Sequence, residues 1–176
     1  MKNRILILTV LAATIFGCTS DSMINDDQEV FNLKAKKKAV ERPFKIKKAQ
    51  GTFTITPVFD PSSCPALVLN ATGEGNVAHM GLSTLFEEWC WSGAPDDVGT
   101  RSLIITAANG DELWATPKEV LFTSETTFEE VTIINGGTGR FKYATGEITE
   151  FVEIVNGDET GFFGTFTLRA VGTITY

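Results

Sequence analysis

The chain has 176 residues, of which 43% are hydrophobic and 21% charged, and a formal net charge of −7; this composition excludes wholesale disorder. Its 16 glycines follow no three-residue period, which excludes a collagen, and its 3 cysteines are too few for a disulfide-built scaffold. A single histidine, His79, excludes a multi-histidine zinc site, and no metal or cofactor is expected. One folded domain is the natural count.

In chain order, Lys2 and Arg4 precede an apolar run from Ile5 to Phe16 that ends in Gly17-Cys18. This is the layout of a secretory signal peptide over residues 1–17. About a dozen apolar residues fall short of the roughly 20 that span a bilayer as a helix. The end of the run, Ile15-Phe16-Gly17-Cys18, resembles the lipobox of bacterial lipoproteins. That resemblance implies lipidation of Cys18, which becomes the mature N-terminus and joins the protein to a membrane without a protein span. Asp21, Asp26 and Asp27 resemble the surface-export signal of some Gram-negative lipoproteins, and in plain chemical terms they make a solvated leader. The expected location is the cell envelope, at the outer membrane.

Residues 18–43 read as a lipidated, flexible tether, because they show no apolar periodicity. The charge then inverts. Lys34, Lys36, Lys37, Lys38, Arg42, Lys45, Lys47 and Lys48 stand against Glu41 alone, whereas from Ala49 onward five basic residues face seventeen acidic ones. Such a basic strip suits anionic lipid headgroups, the domain's own acidic surface, or simple solvation. It lacks the interleaved aromatics of a nucleic-acid site, and no nucleic-acid partner is expected.

Residues 44–176 carry apolar side chains at every second position, the period of strands. Runs near 51–57, 66–73, 79–91, 101–107, 112–116, 127–134, 146–155 and 161–175 give eight strands. Asp111 to Leu121 is the best helical candidate, and Pro117 interrupts it. Asn109-Gly110 between two runs predicts a two-residue hairpin with positive φ at both positions. Eight antiparallel strands can close into a barrel that is filled or holds one small ligand, or can form a two-sheet sandwich.

The stretch Ile134-Asn135-Gly136-Gly137-Thr138-Gly139-Arg140-Phe141, then Ala144-Thr145-Gly146, then Gly172-Thr173-Ile174-Thr175-Tyr176, resembles small bacterial barrels related to allene oxide cyclase and dirigent proteins. Gly73-Glu74-Gly75-Asn76 with His79-Met80-Gly81 resembles the first half of that pattern. The resemblance covers about 51–176 and implies an all-β, single eight-stranded antiparallel barrel. Its glycine turns specify a backbone more than a chemistry.

Several side chains are candidates for a site. His79, near a strand start, is a base or polar contact at a barrel mouth, or a structural hydrogen-bonder. Phe86 to Trp91 concentrates aromatics and carboxylates: Glu88 shares a face with Phe86 and Cys90, and Glu87 with Leu85, Trp89 and Trp91. One glutamate facing inward would have its pKa raised by burial. Glu88, Trp89, Trp91 and Trp114 are therefore ligand or rim contacts, or core and rim. Arg140 binds an anion or covers a barrel end. Cys64 and Cys90 are expected to form a disulfide outside the cytoplasm.

The expected function is non-catalytic binding of a small apolar ligand in the barrel or of an envelope partner on its rim. The alternatives are an allene oxide cyclase-like cyclase acting on a lipid-like substrate, and a structural envelope protein with a filled barrel.

Overall fold

The structure is a computed structural model that describes residues 39–60, 62, 64–94 and 99–176. The signal segment, Cys18 and the tether through residue 38 lie outside the described residues. Eight strands follow in order: β1 (Glu41–Pro57), β2 (Leu67–Val77), β3 (Gly81–Trp91), β4 (Thr100–Ala107), β5 (Glu112–Phe122), β6 (Thr127–Gly137), β7 (Thr145–Gly157) and β8 (Phe163–Thr175). Each pairs antiparallel with its neighbour in sequence, and β8 pairs antiparallel with β1 from Glu41↔Thr175 to Thr54↔Phe163, so the sheet closes into a barrel. One short 3-10 helix, η1 (Gly139–Phe141), interrupts the β6–β7 connection.

The strands that most outrun their apolar alternation are β1 and β5, and a bulge explains each. In β1 the register shifts between Ile46 and Ala49, so Lys47 and Lys48 both point outward. Inward residues are even-numbered before the bulge, as Phe44 and Ile46, and odd-numbered after it, as Ala49 and Phe53. A bulge inserts one unpaired residue and reverses the facing of everything beyond it. The strand therefore starts at Glu41, inside the segment read as tether, and places Arg42, Lys45, Lys47 and Lys48 on the barrel wall. In β5 the shift lies between Pro117 and Glu119, and the strand continues to Phe122. Proline has no N–H for the ladder, and a bulge is where a sheet accommodates it.

The turns sit at one end or the other of the barrel, and the two ends differ. At one end Phe44, Leu113, Phe141 and Ile174 are fully or almost fully buried, and the Phe141 ring packs edge-on to Tyr176 at 5.1 Å. Burial of each such side chain contributes about 1.5–3 kcal/mol. Phe141 reaches this plug through the glycine turn ahead of it. Gly139 has φ +52°, and a side chain there would collide with the Asp111 carboxylate. Gly172 permits a close approach in the wall, since a β-carbon there would strike the Glu147 carbonyl and Ile148.

At the same end the Asn109-Gly110 turn differs from the expected two-residue hairpin. Gly110 has φ +84° and Asn109 does not share a positive φ. The Gly110 N–H donates to the Ala107 carbonyl at 2.9 Å, and the Asp111 N–H donates to Asn109 Oδ1 at 3.2 Å. Residues 108–110 thus form a three-residue loop with glycine in the left-handed position.

The disulfide between Cys64 and Cys90 is formed, with its Cα atoms 5.6 Å apart. It ties the β1–β2 connection to the outer face of β3.

Candidate functional site

The second end of the barrel is hollow. Inward residues of β1, β2, β3, β6, β7 and β8 enclose a cavity of about 360 Å³ whose walls are mainly apolar. Phe53, Leu69, Trp89, Phe128, Val152 and Phe166 represent the six strands in that wall. Trp89 and Trp91 stack on one another at 4.5 Å between ring centroids. Phe122, at the end of β5, stands at the opening and is 57% exposed. A volume above about 300 Å³ with apolar walls is that of a small-molecule pocket.

Beneath the apolar walls the lumen turns polar. Arg101 projects inward from the start of β4, stacks over the Trp89 ring at 4.1 Å and reaches carboxylates on two other strands. Its Nε donates to Glu87 Oε1 on β3 at 3.1 Å, and its Nη2 donates to Glu87 Oε1 and, at 2.7 Å, to Glu130 Oε2 on β6. Glu150 of β7 lies directly across the ladder from Glu130. One guanidinium thus pairs with two carboxylates inside the barrel, and its charge also acts on Glu150. Among the described residues, Arg101 Nη1, Glu130 Oε1 and Glu150 Oε1 are buried without a hydrogen-bond partner. Thr132 lies near enough to Glu150 to favour its ionisation, yet its hydroxyl forms no well-aligned hydrogen bond.

Burial sets the protonation of this cluster. It raises Glu150 from 4.5 to about 7, the neighbouring Glu87 charge adding to the effect while Thr132 and Arg101 oppose it. Burial likewise raises Glu130 well above the ordinary carboxylate range, reinforced by Glu87 and opposed by Arg101. Carboxyl groups in a low-dielectric interior hold their protons more tightly. The cluster can therefore donate or accept a proton near neutral pH and can offer acceptor oxygens to a bound molecule. Among the described residues, no group of three or more His, Cys, Asp and Glu is placed to hold a metal ion.

The candidate residues read from sequence divide between this cavity and places remote from it. Trp89 and Trp91 line the cavity. Of the two glutamates it is Glu87 that faces inward, while Glu88 is exposed on the outer wall, so Glu88 is not a contact to the cavity. Trp114 is also on the outer wall, where its indole N–H donates to Glu112 at 2.9 Å. His79 belongs to the turn before β3 and not to the strand, with φ +67°, and its ring Nε2 pairs with the Pro43 carbonyl at 2.9 Å. That turn is at the plugged end, opposite the cavity. Arg140 is at the plugged end too, where it pairs with Asp111 at 3.3 Å and lies over the Phe141 ring. Sequence reasoning missed Arg101, Glu130 and Glu150. Their signal was weak but present, since each is a charged residue at the inward phase of an otherwise apolar strand.

No protein-family model matches the chain, nor does any curated protein sequence. Among solved structures, that of a pterocarpan synthase dirigent protein is similar, at 16% sequence identity and a TM-score of 0.44, the alignment covering 93% of this chain and 99% of that one. A likeness that slight carries no argument, and the barrel stands on its own strand ladders.

Proposed function

We propose that the chain is an exported, membrane-anchored lipoprotein whose barrel binds a small apolar ligand without transforming it. The observation that carries the binding half is the open apolar cavity of about 360 Å³ at one end of a barrel plugged at the other. A barrel serving only as a structural element of the envelope has no need of that hollow. The anchoring half rests on the signal-like segment ending at Gly17-Cys18.

Native mass spectrometry of the protein purified from its own membrane tests the binding half. A co-purifying small molecule that is lost on denaturation supports it, and a bare chain with no affinity for apolar probes overturns it. For the anchor, Cys18→Ser is expected to abolish membrane fractionation, and unchanged partitioning overturns it.

The buried Glu130 and Glu150 favour a second reading, a cyclase or isomerase in which one of them exchanges a proton with a reactive, lipid-like molecule held above. Turnover of a co-purified ligand, lost in Glu150→Gln, distinguishes this reading from simple binding.

A further inference from the structure

Resting on the reading of the cavity as a ligand site, we propose that its ligand is an amphiphilic organic cation, an amine or quaternary ammonium group carried on an apolar body. Four features of the barrel favour that class over a neutral or anionic one.

The first is the stoichiometry of the lumen. Glu87 and Glu130 share Arg101, whose Nε and Nη2 are committed to them, and Glu150 stands beside Glu130 with no cation among the described residues bonded to it. An anionic headgroup would meet a guanidinium whose remaining nitrogen, Nη1, is buried and whose charge the neighbouring Glu87 carboxylate already balances. A cation meets Glu87, which lines the cavity and keeps 18% of its side chain accessible. Secondly, Glu130 and Glu150 each leave a buried Oε1 without a partner. Neither residue lines the cavity, but a positive charge held at Glu87 lowers the cost of their ionisation.

The third feature is the wall. Phe53, Trp89, Trp91, Phe122, Phe128 and Phe166 surround the cavity, and the faces of aromatic rings attract cations through their quadrupoles. The cavity already holds one cation in this way, the Arg101 guanidinium over Trp89. The fourth is the approach. Glu119, Glu125, Glu129, Glu153, Asp158 and Glu159 stand on the β5–β8 side of the mouth, against Lys118 and Arg169. Lys118 is itself paired with Glu119 at 3.2 Å. The basic residues Arg42, Lys45, Lys47, Lys48, Arg140 and Lys142 lie toward the plugged end. A cleft rimmed by one sign of charge concentrates ligands of the other sign.

The test uses the full-length chain carrying Cys18→Ser, so that no detergent competes for the cavity. Tryptophan fluorescence and calorimetry measure binding of three probes of one chain length, dodecyltrimethylammonium, dodecanol and dodecanoate, each below its micellar concentration. Dodecyltrimethylammonium is expected to bind about tenfold or more tighter than dodecanol, with dodecanoate weakest. In Glu87→Gln the ratio between cation and alcohol is expected to collapse toward one. If dodecanol or dodecanoate binds as tightly as the ammonium probe, or if Glu87→Gln leaves the ratio unchanged, the cation preference is overturned while the apolar site stands. If none of the three binds, the ligand-site reading itself fails. Should Glu87→Gln not fold, the ranking of the three probes on the otherwise unaltered chain decides alone.

Discussion

Arg101 of β4 and Glu130 of β6 meet across the lumen, Nη2 to Oε2 at 2.7 Å, each with 2% of its side chain accessible. The pair is joined to a third strand through Glu87, so a single guanidinium spans the barrel at the base of its cavity. Removing one partner of a buried pair leaves a charge without compensation, which costs about 3–5 kcal/mol. Arg101→Leu is therefore expected to lower stability by that order at pH 8, and by less at pH 5, where Glu130 and Glu150 hold protons. Urea denaturation at the two pH values checks this. A loss that is equal at both, or smaller at pH 8, contradicts the account.

Glu150 gives stability a pH dependence of definite sign. Its folded-state pKa, about 7, lies above the ordinary value of 4.5, so the folded protein binds a proton that the unfolded chain releases. The stabilisation is fully present below the unfolded value and is lost as pH rises through the folded one. Between about pH 5 and pH 8 the loss is on the order of 3 kcal/mol, at 1.36 kcal/mol per unit. Glu150→Gln keeps the shape without the charge and is expected to flatten this slope and to raise stability at pH 8. Urea midpoints measured across the range test it, and a mutant slope equal to that of the parent refutes the assignment.

The Cys64–Cys90 disulfide closes a loop with a sequence separation of 26. In the chain-entropy model such a loop contributes about 3–4 kcal/mol. Cys64→Ser with Cys90→Ser is expected to lower the denaturation midpoint accordingly, and reductant should have no further effect on the double variant. Thiol labelling of the unreduced protein should find neither cysteine reactive.

Ala71 lies opposite Phe53 on the neighbouring strand and lines the cavity. Ala71→Phe places a ring into the hollow without removing any polar partner. Affinity for an apolar fluorescent dye is expected to fall at least about tenfold while the melting temperature holds or rises, because filled space restores dispersion contacts. Undiminished dye binding would mean that the dye sits elsewhere, most plainly on the exposed Leu121 and Phe162.

The barrel was readable from sequence wherever alternation ran unbroken. In β8, Phe166, Leu168 and Ala170 face inward without interruption, as their spacing says. Alternation failed at Lys47-Lys48 and at Pro117, because a bulge reverses inside and outside mid-strand and the pattern looks terminated. Alternation also separates Glu87 from Glu88 but does not say which face is the core. The interior cluster was illegible for a different reason. Arg101 meets Glu130 only because closure folds β4 and β6 across from each other, and no local spacing carries that relationship. His79 looked like a site residue by its place near a strand start, whereas its backbone is turned by the hairpin and its ring is used to hold Pro43.

Seven of the eight ladders join strands adjacent in the chain, and the eighth joins the first strand to the last, pairing Glu41 with Thr175. Adjacent hairpins form with little loss of chain entropy, but the final ladder must bring together residues on either side of all six other strands before it repays anything. Zipping that last seam is therefore expected to limit the rate of folding. Until it forms, β1 and β8 are both open edges on which another copy can add a strand, so the interval before closure is when the protein is most exposed to aggregation.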